Sequence, residues 1–491
     1  MEESGNSSTD RISNLPESLI HHILSFLDMR CVVQTCVLSK RWRYVWPTVS
    51  NLVFRGDAFG ESGGEQLKKF KMFVNMVLML RDFCDIHKFH LHWGKESYQT
   101  EKIVNKHLNT WVLAVLKCNV QDLSIYIEAD DNRRCDHEIR FPHSLFNSQS
   151  LSKLVLEMSR NYESQVILPE SMHLPGLKFM SLSSFFVEVG DSINKLISSC
   201  PILESLILRD IWIEDAYDTN VKIESHVLKH LEISNHNIEM LVWYHYNMAK
   251  IIKLLTPNMT SFICKDYMLQ EYCIENVSSL VAADIEILKE CTNESLEDSD
   301  LEISEDERER LYPKRMMEFI GAFHKVKELT ISSPGFLQVL AGATNLVEGR
   351  SLKFCNLQCL KLTTWFTRRC LLSITYLLNA CPCLESLYLT FDKPNYRADK
   401  DDGEVELSVS CILSHLKRIE IRKVKGCHTE LQFLEFLLMN TLVLEVMVLS
   451  FDTSGSSDTA ATPDRLKLVE KFTEKLRTLP RASPSLRMIF L

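Results

Sequence analysis

Glycine is scarce in this chain, at 15 of 491 residues, where an average protein has roughly 7%. That weighs against collagen-like chains, glycine-rich linkers and turn-heavy β-sandwiches. Long apolar runs are missing too. The richest, Met72 to Leu80, has nine residues and contains Asn75, well short of the roughly 20 that span a bilayer. The opening MEESGNSSTD has neither a basic segment nor an apolar core of signal-peptide type. The expectation is an intracellular protein, nuclear and/or cytoplasmic, with no membrane partner and with its 16 cysteines reduced. Positive charge is in deficit: 55 Lys and Arg face 65 Asp and Glu, a net −10. A broad grip on nucleic acid usually needs the opposite sign, so no nucleic-acid partner is expected.

Phosphate-cradle and zinc-hydrolase motifs are also absent: there is no GxxxxGK[ST], GxGxxG or HExxH. GxSxG occurs once, as GESGG at 60–64, and so short a match does not make a nucleophile by itself. The cysteines lack paired CxxC spacing; Cys381 and Cys383 are separated by one residue, Cys355 and Cys359 by three. These absences lead to an expectation of no catalytic residues, no metal and no cofactor. The cysteines read instead as small apolar residues that pack well in repeat turns.

What is present is apolar side chain in quantity. Hydrophobic residues make up 45% and charged residues 24%, enough for a large core. The length suits two to four domains or one extended repeat array. Residues 1–9 read as a flexible tail. After them, Leu19, Ile20, Ile23, Leu24 and Leu27 recur at helical spacing. Pro16 suits the first turn of that helix and Glu17 its positive end. Asp28 is a plausible N-cap for a second helix carrying Val32, Val33, Cys36 and Val37. Ser39 can cap a third, with Trp42 and Trp46 four apart and Pro47 as its stop. Three short helices in so few residues rarely bury enough apolar surface to stand alone. The first is apolar around much of its circumference. The segment therefore needs a partner, either another part of the chain or another protein.

The same residues carry a resemblance. LPxxLIxxILSFL followed by RxxVxTCVLSKRWRxxW resembles the F-box motif in its plant form. The resemblance implies docking onto the adaptor of an SCF-type ubiquitin ligase and, through it, a cullin. It implies adaptor contacts from Leu15, Pro16, Leu19, Ile20, Ile23, Leu24, Leu27, Val33, Val37, Leu38, Lys40, Trp42 and Trp46. The segment 10–55 has six basic and three acidic residues, a sign that suits an acidic adaptor.

A looser pattern, L-x-x-L-x-L with other apolar residues allowed, recurs through the rest. Its middle anchors fall at 123, 154, 180, 206 and 231, then at 329, 360, 387, 419 and 447. Two units are near copies, CPILESLIL at 200–208 and CPCLESLYL at 381–389. Each unit reads as a short strand with alternate side chains inward, then a returning helix that covers them. No unit is stable alone, and stacking makes a continuous core. This resembles a leucine-rich-repeat solenoid covering roughly 85–450, with weak stretches at 55–118 and 235–318. The C-terminal stretch, with Gly426, Glu430, Leu434, Phe436, Leu437, Leu444, Met447, Phe472, Leu476, Pro480, Arg481, Ala482, Ser483 and Ser485, resembles the FBD region of plant F-box proteins. In physical terms it is a terminal cap.

The expected fold is α/β: a three-helix F-box module at 10–50, then a solenoid at 51–408 with a parallel sheet on one face and helices on the other. An α/β cap follows at 409–491. An acidic insertion at about 291–310 interrupts the repeats. Its segment 294–309 holds nine acidic residues and one Arg, so it alone supplies most of the chain's net charge. It reads as a solvated insertion, or as bait for a basic partner. His90 and His92 share a strand face that reads as solvated or partly packed. Between the inward leucines, outward side chains would form the target-binding face: Tyr126, Glu157, Arg209, Glu232, Lys361, Tyr388, Glu420 and Arg422, with Ser124, Ser181 and Thr330 beside them.

The expected function is substrate recognition within an SCF ubiquitin ligase. The F-box would hold the adaptor and the repeats would hold an unknown target protein; the chain itself would be non-catalytic. Alternatives are a ligand-dependent receptor for a small molecule or hormone, and an interaction scaffold with no ligase role.

Overall fold

The computed structural model describes residues 15–59, 64–94, 101–128, 135–138, 140–158, 162–165, 169, 171–187, 191–213, 220–235, 251–268, 270–289, 305–344, 352–392, 413–452 and 463–491. The tail at 1–9 lies outside them, as do residues 290–304 of the acidic segment. The chain divides into two compact units, one of residues 1–228 with 246–249, the other of 229–245 with 250–491.

The first unit opens with helices α1 (Glu17–Leu24) and α2 (Met29–Gln34). Pro16 is the residue just before α1, where its missing N–H costs nothing, and its carbonyl accepts from Leu19 and Ile20. Asp28 caps α2 through a 3.0 Å bond from the Cys31 N–H. The third helix expected from the sequence is not an α-helix. The chain makes 3-10 turns at Thr35–Val37, Trp42–Tyr44 and Trp46–Thr48, and Pro47 sits inside the last. Ser39 does cap the Trp42 turn, by a 3.4 Å bond from the Trp42 N–H. Pro47 has no N–H to extend an α-helical ladder, and the tighter turn brings Trp42 to the interior.

Among the described residues of this unit nine strands follow: β1 (Asn51–Arg55), β2 (Lys88–Trp93), β3 (Asp122–Ile127), β4 (Cys135–Glu138), β5 (Lys153–Met158), β6 (Tyr162–Gln165), β7 (Phe179–Val187), β8 (Ser205–Ile213) and β9 (Val221–Glu224). Helices α3 (Gly64–Leu80), α4 (Glu101–Leu116) and α5 (Asp191–Ser198) lie between strands in the chain. The order β1-β2-β3-β5-β7-β8 is parallel throughout. Leu52, Phe89, Leu123, Leu154, Met180 and Leu206 stand in one register row, and all are buried. The stretch 55–118, weak in sequence, thus holds a full repeat strand. Its anchor is Phe89 rather than leucine.

The second unit has β10 (His230–Ser234), β11 (Ile251–Leu255), β12 (Ser261–Tyr267), β13 (Glu271–Glu275), β14 (Ala282–Leu288), β15 (Glu328–Ile331), β16 (Cys359–Trp365), β17 (Ser386–Asp392), β18 (Arg418–Val424), β19 (Val446–Phe451) and β20 (Arg487–Phe490). Its helices are α6 (Glu305–Gly321), α7 (Pro334–Thr344), α8 (Arg368–Ala380), α9 (His428–Asn440) and α10 (Pro463–Thr478). The ladder β10-β12-β14-β15-β16-β17-β18-β19-β20 is again all parallel. Its register row runs Leu231, Phe262, Ala283, Leu329, Leu360, Leu387, Ile419, Met447 and Met488. The weak stretch 235–318 therefore contains two ladder strands, anchored by Phe262 and Ala283. Residues 305–310, counted with the acidic insertion in sequence, begin α6 instead. A helix N-terminus favours acidic side chains, which explains the run there.

In both units the inward row is buried and the alternate row is largely half-exposed, so one sheet face lies under helices and the other meets solvent. Cys200 and Cys381, from the two near-copy segments, are buried where α5 and α8 turn into the next strand. Burial pushes their thiols up to about 11 and about 12, as befits inert packing residues. Among the described residues, no helix is long and apolar enough to cross a membrane. Nor does any group of three His, Cys, Asp or Glu stand close enough to hold a metal ion.

Candidate functional site

Two surfaces deserve the name of candidate site, one on the N-terminal module and one on the strand faces. In the module, the inner side is core: Ile20 and Leu24 are fully buried, Trp42 nearly so, with Met29, Val32 and Val45. Ile20, Leu24 and Trp42, expected at a partner interface, are buried inside the module, where they pack its core. Leu15, Leu27, Val33 and Trp46 are half-buried, while Pro16 and Lys40 are exposed.

The outer side is apolar and open to solvent. Leu19, Ile23 and Leu38 are exposed, and Val37 is 88% exposed. Phe26 at 76% and Tyr44 at 74% join them. Neither Phe26 nor Tyr44 is among the adaptor contacts that the family resemblance implies. Phe26 lies within the motif three residues after Ile23 and seven after Leu19, so the helical spacing itself could have marked it. A segment this small would not normally leave so many large apolar side chains wet.

The inner side is tied to the first repeat. Arg81 is buried and donates to the carbonyls of Cys84 at 3.0 Å and Val49 at 3.4 Å. The Asp82 N–H bonds the Pro47 carbonyl at 3.1 Å, and the His87 and Lys88 N–H groups share that of Ser50. Arg30 bonds the Ala58 carbonyl and lies over the Phe59 ring. The chain itself thus supplies half of the partner the module needs.

On the solvent strand face of the first unit, Tyr126, Glu157, Ser183 and Arg209 form one register row. Arg209 pairs with Glu157 at 3.7 Å. Beside them His90 pairs with Asp122 at 3.3 Å and His92 with Glu128 at 3.1 Å. Burial opposes the charge of Asp122, but the bonds and charges of His90, Lys153 and Ser124 outweigh it and hold the carboxyl below its ordinary value. Ser124 and Ser181, expected on the wet face, are buried. Their short side chains sit below the taller residues around them.

In the second unit, Glu232, Asp284, Thr330, Lys361, Tyr388 and Glu420 occupy equivalent positions along the solvent face. Four of the eight residues named from sequence, Lys361, Tyr388, Glu420 and Arg422, converge on one groove of about 350 Å3 with Thr330, Thr363 and Thr390. Glu420 is saturated: Arg422 reaches Oε1 through Nε at 2.9 Å and Nη2 at 2.7 Å, and Arg418 reaches Oε2 at 3.2 Å. Burial works against its charge, yet these bonds win and hold the carboxyl below its ordinary value. Glu232 lies elsewhere, toward β14. There burial pushes the Asp284 carboxyl up, with Lys265 opposing, Glu286 adding, Lys361 opposing and Glu232 adding.

At the C-terminal side, the FBD-like residues are structural. Buried Glu430 accepts the backbone N–H groups of Lys425, Gly426 and Cys427 at 2.6–3.1 Å. Gly426 has φ 86°, a conformation that side chains with a Cβ rarely adopt. Ser483 is buried and bonds the Leu444 carbonyl at 2.8 Å, while the Ala482 N–H bonds that of Leu438. The PRAS turn thereby fixes the last strand to α9 and β19.

Comparison with known proteins gives three family matches: the F-box domain over 12–54, the LRR repeats of FBD-associated F-box protein At5g56370 over 108–294, and FBD over 407–449. All three relatives named here are from Arabidopsis thaliana. F-box/LRR-repeat protein At4g14096 is 28% identical over 479 residues, 94% of this chain and 92% of that protein. F-box/FBD/LRR-repeat protein At1g78750 is 26% identical over 496 residues, 99% and 97%. F-box/LRR-repeat protein At4g14103 is 32% identical over 286 residues, 57% of this chain and 68% of that protein.

Proposed function

Because this chain belongs to the F-box/LRR-repeat protein family, with an FBD segment after its repeats, we propose that it is the substrate-recognition subunit of an SCF-type ubiquitin ligase. The observation that supports this reading best is the split character of the N-terminal module. Its inner face is consumed by the chain's own core, and its outer face presents Leu19, Ile23, Phe26, Val37, Leu38 and Tyr44 to solvent. An adaptor that covers this face would supply the burial the module lacks. Leu15 and Pro16, at the entry to α1, sit at its rim. The exposed Lys40 adds a positive charge that suits an acidic partner.

The repeats would then hold the target by their solvent-facing strands. The chain performs no chemistry. It raises the local concentration of the target beside the ubiquitin-charged enzyme, so that transfer becomes nearly intramolecular. The boundaries that serve this division are the module at 10–50, the repeats at 51–408 and the cap at 409–491.

The test is co-purification of the full-length chain with the adaptor and cullin. Wild type should retain both. A Leu15→Ala, Pro16→Ala double variant should weaken retention, and Val37→Asp with Leu38→Asp should abolish it, with thermal stability unchanged. Full retention by the Val37/Leu38 variant would sink the assigned surface.

A further inference from the structure

The groove across β15–β18 has an unusual balance of donors and acceptors. Its one carboxylate, Glu420, has both oxygens occupied by arginines of its own strand. Lys361 forms no hydrogen bond or ion pair among the described residues, and neither do the hydroxyls of Tyr388, Thr330, Thr363 and Thr390. These groups can all donate, and Lys361 only donates. Register brings them together: Thr330, Lys361, Tyr388 and Glu420 are paired in one row, with Thr363, Thr390 and Arg422 in the next. Four strands at about 4.8 Å spacing give the row a span of about 14 Å, room for several residues of an extended chain.

We propose that this groove binds an acidic segment of the target protein, with a carboxylate placed on Lys361 and flanked by the Tyr388 and threonine hydroxyls. This rests on the reading of the strand face as the target face and names what that face selects. A carboxylate is favoured because Lys361, although its charge reaches Asp284, is closed in no ion pair among the described residues. Arg422 and Arg418 share their charge with Glu420 and act as the wall that keeps Glu420 from competing. The groove mixes polar side chains with Leu362 and Leu389 and crosses strands, which suits a peptide better than a compact apolar ligand. The chain as a whole is net −10, so any attraction for acidic peptide must come from a local site rather than from the overall field.

The test uses the full-length chain bound to its adaptor and three labelled hexapeptides: all-Glu, all-Gln, and one carrying phosphoserines. Fluorescence anisotropy at low salt should show all-Glu binding about tenfold tighter than all-Gln, the size of one charge-assisted hydrogen bond. Lys361→Met should erase that difference and Tyr388→Phe should reduce it. Lys88→Met, on the strand face of the other unit, should leave it intact. Equal binding of Glu and Gln peptides, an unchanged preference in Lys361→Met, or binding of the phosphoserine peptide alone would each overturn the proposal. A parallel arm separates it from the broader reading. If Lys361→Met and Glu232→Lys both leave the set of ubiquitinated proteins unchanged while adaptor binding persists, the strand face is not the target face. If Glu232→Lys alters that set but the peptides show no acid preference, only the groove's assignment to an acidic segment falls.

Discussion

The carboxylate of Glu430 accepts three consecutive backbone N–H groups, from Lys425, Gly426 and Cys427, ahead of α9. Those donors are the orphans of a helix start and of a left-handed turn, and no other side chain of the described residues reaches them. Glu430→Ala should therefore cost about 3 kcal/mol, since buried donors lose their acceptor. Glu430→Gln keeps one oxygen and should cost about half as much. Denaturant unfolding followed by circular dichroism measures both, and a loss below about 0.5 kcal/mol for alanine would contradict the account. Asp122 gives a pH signature at the same scale. Its carboxyl is held below the ordinary value by His90, Lys153 and Ser124. A depressed folded value means stability that is present above the unfolded value, about 3.9, and lost as pH falls through the folded value. The melting temperature of wild type should exceed that of Asp122→Asn at pH 6, and the gap should close below about pH 4. A gap constant from pH 7 to pH 3 would assign the effect to packing instead.

At the scale of elements, the N-terminal module separates two kinds of apolar residue that sequence spacing alone runs together. Ile20→Ala should cost about 2–5 kcal/mol, the usual range for a fully buried aliphatic. Val37→Asp should leave stability within about 0.5 kcal/mol and act on adaptor binding only. Thermal denaturation beside a pull-down distinguishes them, and a large stability loss in Val37→Asp would mean the face is already covered. The helical spacing of Leu19, Ile20, Ile23 and Leu24 was legible, but not which of them faced in. That depends on where β1 and the 3-10 turns lie. The turns read as a third α-helix in sequence because Trp42 and Trp46 are four apart, a spacing that 3-10 turns also tolerate. Among the repeats, Leu154, Leu206, Leu360 and Leu387 announced their strands. Leu52, Phe89, Phe262 and Ala283 did not, because the strand steps around them are irregular and three of the four anchors are not branched aliphatics. The groove was half legible. Lys361, Tyr388 and Glu420 follow from strand alternation, whereas the clasp of Arg418 and Arg422 on Glu420 depends on side-chain rotamers.

At the scale of the whole molecule, a stack of repeats distributes stability by neighbours rather than through one global core. In the second unit, Leu387 lies between Leu360 and Ile419 in register, with a neighbour on either side. Among the described residues Met488 pairs only with Met447 and is half-buried. β20 meets one ladder partner among them, and Arg477 of α10 lies over its Phe490 ring. Truncation should therefore have different reach at the two places. Leu387→Ala should cost about 3–4 kcal/mol and raise amide exchange across β16, β17 and β18 together. Met488→Ala should cost about 1 kcal/mol and raise exchange in β20 with little change before β19. Hydrogen exchange read by mass spectrometry resolves the strands separately. If Met488→Ala loosened β16 as much as β20, the unit would be one cooperative block. The near-copy segments at 200–208 and 381–389 would then share a sequence without sharing a local folding unit. If the effects stay local, damage at the last strand should leave the Lys361 groove intact. Acidic-peptide binding should then survive Met488→Ala and fail in Leu387→Ala, because Leu387 supports Tyr388 from the buried side of the same strand.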